Sequence, residues 1–142
     1  MINDDMEIFG IYNADGGIVG ELKYGIGKMF KSNHCFLCDI THGVQHNWLY
    51  IRQFSYKVKR RLWKQFLNNL PVPLRLLHLN EQTNDMAKFT MGKTPCVLIE
   101  MNNEYTVLLN SEELKSCEGN VSKFIEVFQF KLNSCYGLTY EL

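Results

Sequence analysis

Apolar and polar positions alternate most clearly in "TPCVLIEMNNEYTVLLN", residues 94–110. Two β-rich apolar runs flank "MNNE", a hairpin turn signature, so 94–100 is expected to pair with 104–109. Near the start, "MEIFGIYN" alternates weakly, is rich in strand formers and predicts a first strand, which "ADGG" then breaks. "LRLLHLN", residues 74–80, reads as a buried strand. Helical spacing appears three times. Ile18, Leu22, Ile26, Met29 and Phe30 form one stripe, although Gly20, Gly25 and Gly27 each cost about 1 kcal/mol against alanine in a helix interior. A second helix is expected from Ser55 to Leu70, with Val58, Leu62, Phe66, Leu67 and Leu70 on its apolar face and "LPVP" as its stop. A third runs from Val121 to Cys135, with Val121, Phe124, Ile125, Phe128 and Leu132 on one face. "WLYIRQFS" reads as a short extended piece and "EQTNDMAKFTMGK" as a polar connection with one helical turn; Ser111 or Ser116 would cap local turns before the last helix.

The resulting order is strand, helix, helix, strand, short connection, hairpin, helix. It predicts one α/β domain over residues 1–142, with a central sheet of about four strands and helices on both faces. A strand opening with "TP", its hairpin partner and a final helix resemble the C-terminal half of the thioredoxin-like fold. The resemblance implies a cis proline facing the active site, which here is Pro95 after Thr94. It also implies a CxxC directly after the first strand, at a helix N-terminus that lowers the thiol pKa. This chain departs from that arrangement: "NADGG" stands there, and its CxxC comes roughly twenty residues later. The stretches "YNADGG", "GELKYGIGK" and "HCFLCDITHG" also resemble a small group of uncharacterised bacterial proteins.

Composition narrows the class. Of the 142 residues, 46% are hydrophobic, enough to build a core and to exclude disorder throughout. Lys+Arg and Asp+Glu both number 15, so no net field draws in nucleic acid or an acidic partner, and no partner is identified. Asp4, Asp5 and Glu7 stand where a signal peptide carries positive charge, and no apolar run approaches the ~18 residues of a membrane span. The expectation is a cytoplasmic chain outside the membrane. Five unevenly spaced cysteines then default to free thiols or metal ligands. Cys96, Cys117 and Cys135 all suit burial as small core residues.

The chemistry is concentrated in "HCFLCDITHGVQHNW", residues 34–48, with three of the four histidines and two of the five cysteines. Cys35-x2-Cys38-x3-His42-x3-His46 resembles a ligand series for zinc or another transition metal, because thiolate and imidazole are suitable donors. As one helix the four would spread over about 16 Å at 1.5 Å per residue, too far for one ion. Either Gly43 turns the segment, or Cys35, Cys38 and His42 converge and His34, His46, Asp39 or a residue elsewhere completes the set. A second reading makes Cys35 a redox nucleophile and Cys38 its resolving thiol, with His34 and His42 stabilising the thiolate. A third makes the loop purely structural in a non-enzymatic interaction protein.

Other motifs carry less. "ADGG" before a helix is a turn with Asp15 as N-cap more readily than an anion site. "GIGKMF" lacks the first glycine and the Ser/Thr of a phosphate loop. Lys57, Lys59, Arg60, Arg61 and Lys64 fit the solvated face of an amphipathic helix. His78, within an apolar run, reads as a core histidine. Cys96, directly after Pro95, is expected to be buried in the hairpin rather than to join the thiol set.

Overall fold

The computed structural model describes residues 5–13, 36–41 and 50–140, with the backbone alone at 36, 38, 39 and 50–59. The helix expected over 18–30 and the "ADGG" turn lie outside the described residues. Along the chain run β1 (Met6–Ile11), α1 (Phe36–Thr41), α2 (Tyr50–Asn69), β2 (Leu74–Leu77), a 3-10 turn (Leu79–Glu81), α3 (Asn84–Thr90), β3 (Cys96–Met101), β4 (Glu104–Leu109), α4 (Ser111–Ser116) and α5 (Val121–Tyr136). The fold is mixed α/β. Its described strands form one four-stranded sheet in the order β2-β1-β3-β4. β1 and β2 are parallel, with Ile8 opposite Leu74 and Ile11 opposite Leu77. β3 is antiparallel to both β1 and β4.

The hairpin forms as expected, because its turn chemistry is local. Asn102 and Asn103 adopt φ of 54° and 63°. Both lie in the left-handed region that a two-residue hairpin requires and that asparagine tolerates. β3 begins at Cys96, not at Thr94, and the Thr94–Pro95 peptide bond is cis. A proline there has no N–H to give to the ladder.

Helix ends depart more from the expectation. α2 begins at Tyr50, so much of "WLYIRQFS" is helical; no proline or glycine interrupts 50–69. The polar connection holds two turns of helix in α3, with the Thr83 hydroxyl accepting from the Met86 N–H at 3.2 Å. α4 was not expected. It is six residues long and starts with a capping box, in which the Asn110 side chain accepts from the Glu113 N–H at 2.9 Å and the Glu113 carboxylate accepts from the Asn110 N–H at 3.3 Å. Asn110 and Asn120, rather than Ser111 and Ser116, are the caps of α4 and α5.

The larger core lies on the sheet face that carries Met6, Ile8, Tyr12, Val97 and Ile99. Phe66 of α2 is fully buried at its centre, with its ring 5.2 Å from Trp63, 5.8 Å from Phe124 and 5.2 Å from Phe128. The stripe expected for α5 is the stripe that is buried. For α2 the pattern missed Trp63, which is buried beside the exposed Arg60, Arg61 and Lys64, while Leu62, Leu67 and Leu70 are only half-buried. Phe9, Ile11, Cys96 and Leu98 face the other way and are covered by Met86 and Phe89 of α3. Helices thus flank both faces. β2 is an edge strand, half-buried at best, and not the deeply buried strand expected. No helix among the described residues is long and apolar enough to cross a membrane.

One glycine positions α1. Gly10, central in β1, faces the larger core, and a Cβ there would lie 2.7 Å from Leu76 Cδ2 and 3.2 Å from Leu37 Cδ2. Its missing side chain lets Leu37 of α1 close down on the sheet. Leu37 and Ile40 are both buried, and α1 packs against α4 and α5.

Candidate functional site

The C-terminal ends of the parallel strands β1 and β2 and the start of β3 meet at one edge of the sheet. Such strand ends are where α/β sheets place their ligand sites. Tyr12 and Asn13 leave β1 there, His78 leaves β2, and Thr94–Pro95 enters β3. The Thr94 hydroxyl donates to Asn13 Oδ1 at 3.0 Å. From the other side the Ser111 hydroxyl donates to the Pro95 carbonyl at 2.7 Å and the Lys93 carbonyl at 3.2 Å. The cis-proline turn is therefore held by the end of β1 and by the first residue of α4.

Tyr12 is the hinge of the edge. Its N–H donates to the Leu77 carbonyl at 2.9 Å, and its hydroxyl lies 2.9 Å from the Thr41 hydroxyl, the last residue of α1. Its ring centroid is 4.8 Å from that of His78. His78 is not a core residue, contrary to the expectation, because β2 ends one residue before it. It caps the 3-10 turn: its N–H donates to Glu81 Oε1 at 3.0 Å, and its ring Nδ1 contacts the same carboxylate. The His78 N–H, and then the His78 ring, hold the Glu81 carboxyl below its usual range. The sequence reading missed this His–Glu pair. Its signal was "HLNE", a cap residue with Glu three positions on.

The Cys/His segment is only partly described. Cys38 lies within α1, and its side chain is not described; His34, Cys35, His42 and His46 lie outside the described residues. The described residues include no group of three or more His, Cys, Asp or Glu side chains able to hold a metal ion. The other thiols are accounted for by packing. Cys96 is fully buried on the α3 face, where loss of water pushes its thiol up to about 11. Cys117 is buried, and its Sγ lies 3.4 Å from the Glu113 carbonyl that accepts from it. Cys135 is exposed on α5 and not a core residue as expected; it falls outside the stripe that faces the sheet.

An open groove of about 630 Å³ lies beside the same turn, lined by Gly92, Lys93, Val107, Ser111, Glu112 and Lys131 among others. Both of its lysines are engaged. Lys93 Nζ donates to the Phe89 carbonyl at 2.7 Å, and Lys131 pairs with Glu113 at 3.0 Å. The chemically richer place is the strand-end edge around Tyr12. Compared with known proteins, the chain matches no family model, no curated protein and no solved structure.

Proposed function

We propose that the chain is a cytoplasmic, thioredoxin-like protein that binds a transition metal, zinc by the character of its donors, through Cys35, Cys38 and His42. The fold part of this reading is supported by the mixed sheet, the hairpin, the closing helix and the cis bond at Pro95. The metal part is supported above all by the way α1 uses its core positions. Leu37 and Ile40 fill the buried stripe of the helix. The sequence adds three soft donors, Cys35, Cys38 and His42, within eight residues of chain. The buried positions described in α1 are filled by leucine and isoleucine. A tetrahedral zinc site needs one more ligand; a closed shell would be structural and an open one catalytic or a transfer site.

A second reading, a thiol–disulfide pair, rests on the Cys35-x2-Cys38 spacing in the sequence. That reading predicts a reversible Cys35–Cys38 disulfide and a depressed thiol pKa.

Elemental analysis of protein purified without a histidine tag separates the two. The metal reading predicts about one equivalent of zinc, lost in Cys38→Ser. Less than about a tenth of an equivalent of any metal, with both thiols freely reactive, overturns it.

A further inference from the structure

We propose that β4 is an interaction edge whose partner is β4 of a second copy of this chain, paired antiparallel about a two-fold axis at Thr106. The inference does not depend on the metal reading. β4 is the outermost described strand on its side of the sheet, and β3 is its one described neighbour. Its outer row of backbone N–H and C=O groups is a template for another strand. Proteins guard such edges with proline or charged side chains, lysine above all. The other edge, β2, is guarded: Pro73 precedes it, and Arg75 pairs with Glu7 at 3.3 Å and lies over the Phe9 ring. β4 reads "EYTVLL" and holds neither proline nor a basic residue. Its register with β3 is regular from Glu104 to Val107 and slips beyond that, between Val97 and Leu98. Glu104 and Thr106 are exposed, and Tyr105 and Val107 are half-buried.

The strand is complementary to itself. Residues opposite each other in an antiparallel ladder share a face, so a two-fold axis must pass where one residue meets its own copy. With Thr106 at the axis, Tyr105 of each copy stands opposite Val107 of the other. Thr–Thr and aromatic–β-branched pairs are both favourable across strands. Tyr105 is already braced by the Phe89 ring, with centroids 5.5 Å apart. Charge agrees with this pairing. The hairpin end of β4 is acidic, with Glu100 and Glu104, and its other end opens on the groove lined by Lys93 and Lys131. Glu112 and Glu113 line that groove too, but Glu113 is engaged by Lys131. The Lys93 ammonium meets the Phe89 carbonyl and ring and no carboxylate among the described residues. Antiparallel pairing brings Glu104 of each copy to the Leu108 end of the other, beside the other's groove. Basic and acidic residues number 15 each, so net charge sets up no general repulsion between copies.

Sedimentation equilibrium of the untagged full chain measures the association, under reducing conditions so that the exposed Cys135 forms no bridge. Wild type should pass from monomer to dimer as its concentration rises. Thr106→Lys and Thr106→Glu each place like charges at the axis, and each should weaken the dimer by about 10-fold or more. An equimolar mixture of the two variants should recover the association, because unlike charges then meet. Thr106 is exposed, so neither substitution disturbs the core, and circular dichroism checks that both variants keep the fold. In wild type, amide exchange in β4 should slow as the protein is concentrated, a readout that needs no variant. A wild type that stays monomeric at every concentration overturns the proposal. So does a dimer that neither variant weakens, or a mixture of folded variants that associates no better than its parents.

Discussion

Thr41 and Tyr12 are joined hydroxyl to hydroxyl at 2.9 Å, across 29 positions of chain. The bond fastens the end of the helix that carries Cys38 to the first residue beyond β1. The next residue, Asn13, accepts from Thr94 at the cis-proline turn. One short path of contacts thus connects the cysteine-bearing helix to the edge where β1, β2 and β3 end.

Removing the hydroxyl in Tyr12→Phe should destabilise the protein by about 1 kcal/mol, the usual value of one partly buried hydrogen bond. The loss should be local. Amide exchange should quicken in α1 while β1 and β3 keep their protection. Equal protection of α1 in both proteins would show that the bond does not hold the helix.

Gly10→Ala tests the same seat from below. The new methyl would press on Leu76 and Leu37, both through the ends of flexible side chains. Overpacking of this kind costs about 1–3 kcal/mol. The expected result in chemical denaturation is a lower midpoint with an unchanged slope. A neutral substitution would mean that α1 does not lie down on β1.

Phe66 anchors the larger core, and Phe66→Ala should cost about 3–5 kcal/mol. Phe130, on the same core's covering helix but 69% exposed, provides the contrast. Phe130→Ala should stay within about 0.5 kcal/mol of wild type. Similar losses at both sites would contradict the packing described.

How much of this was legible follows from how local each signal is. The "MNNE" turn and the α5 stripe are encoded within a few residues, and both stand in the structure as read. α4 escaped because six residues give barely more than one turn of periodicity, and its only marker was the Asn110–Glu113 capping box. Trp63 escaped because basic residues surround it in the chain, whereas its burial is decided by Phe66 and Phe124 across the core. In the sequence His78 reads as core because its neighbours are apolar. Its real environment depends on where β2 stops pairing with β1, a tertiary fact. The cysteine cluster was visible from composition alone, whereas the His78–Glu81 pair shows in the sequence only as the cap spacing of "HLNE".

The Cys96 thiol gives a pH dependence. Burial raises it to about 11 from an ordinary value of about 9. The folded state therefore favours the protonated thiol. Its contribution is complete below about pH 9 and is lost as pH rises towards 11. Two units correspond to a contribution on the order of 2–3 kcal/mol. Denaturation midpoints measured from about pH 8 to about pH 11 should fall more steeply for wild type than for Cys96→Ala. Parallel curves would mean that the thiol is not desolvated in the folded protein.

The central claim is that sulfur and imidazole from the 34–46 segment hold a metal. X-ray absorption at the zinc edge of the untagged, zinc-loaded protein tests it most directly. The predicted shell has two sulfurs at about 2.3 Å and nitrogens at about 2.0 Å. A shell of oxygen and nitrogen without sulfur would contradict it.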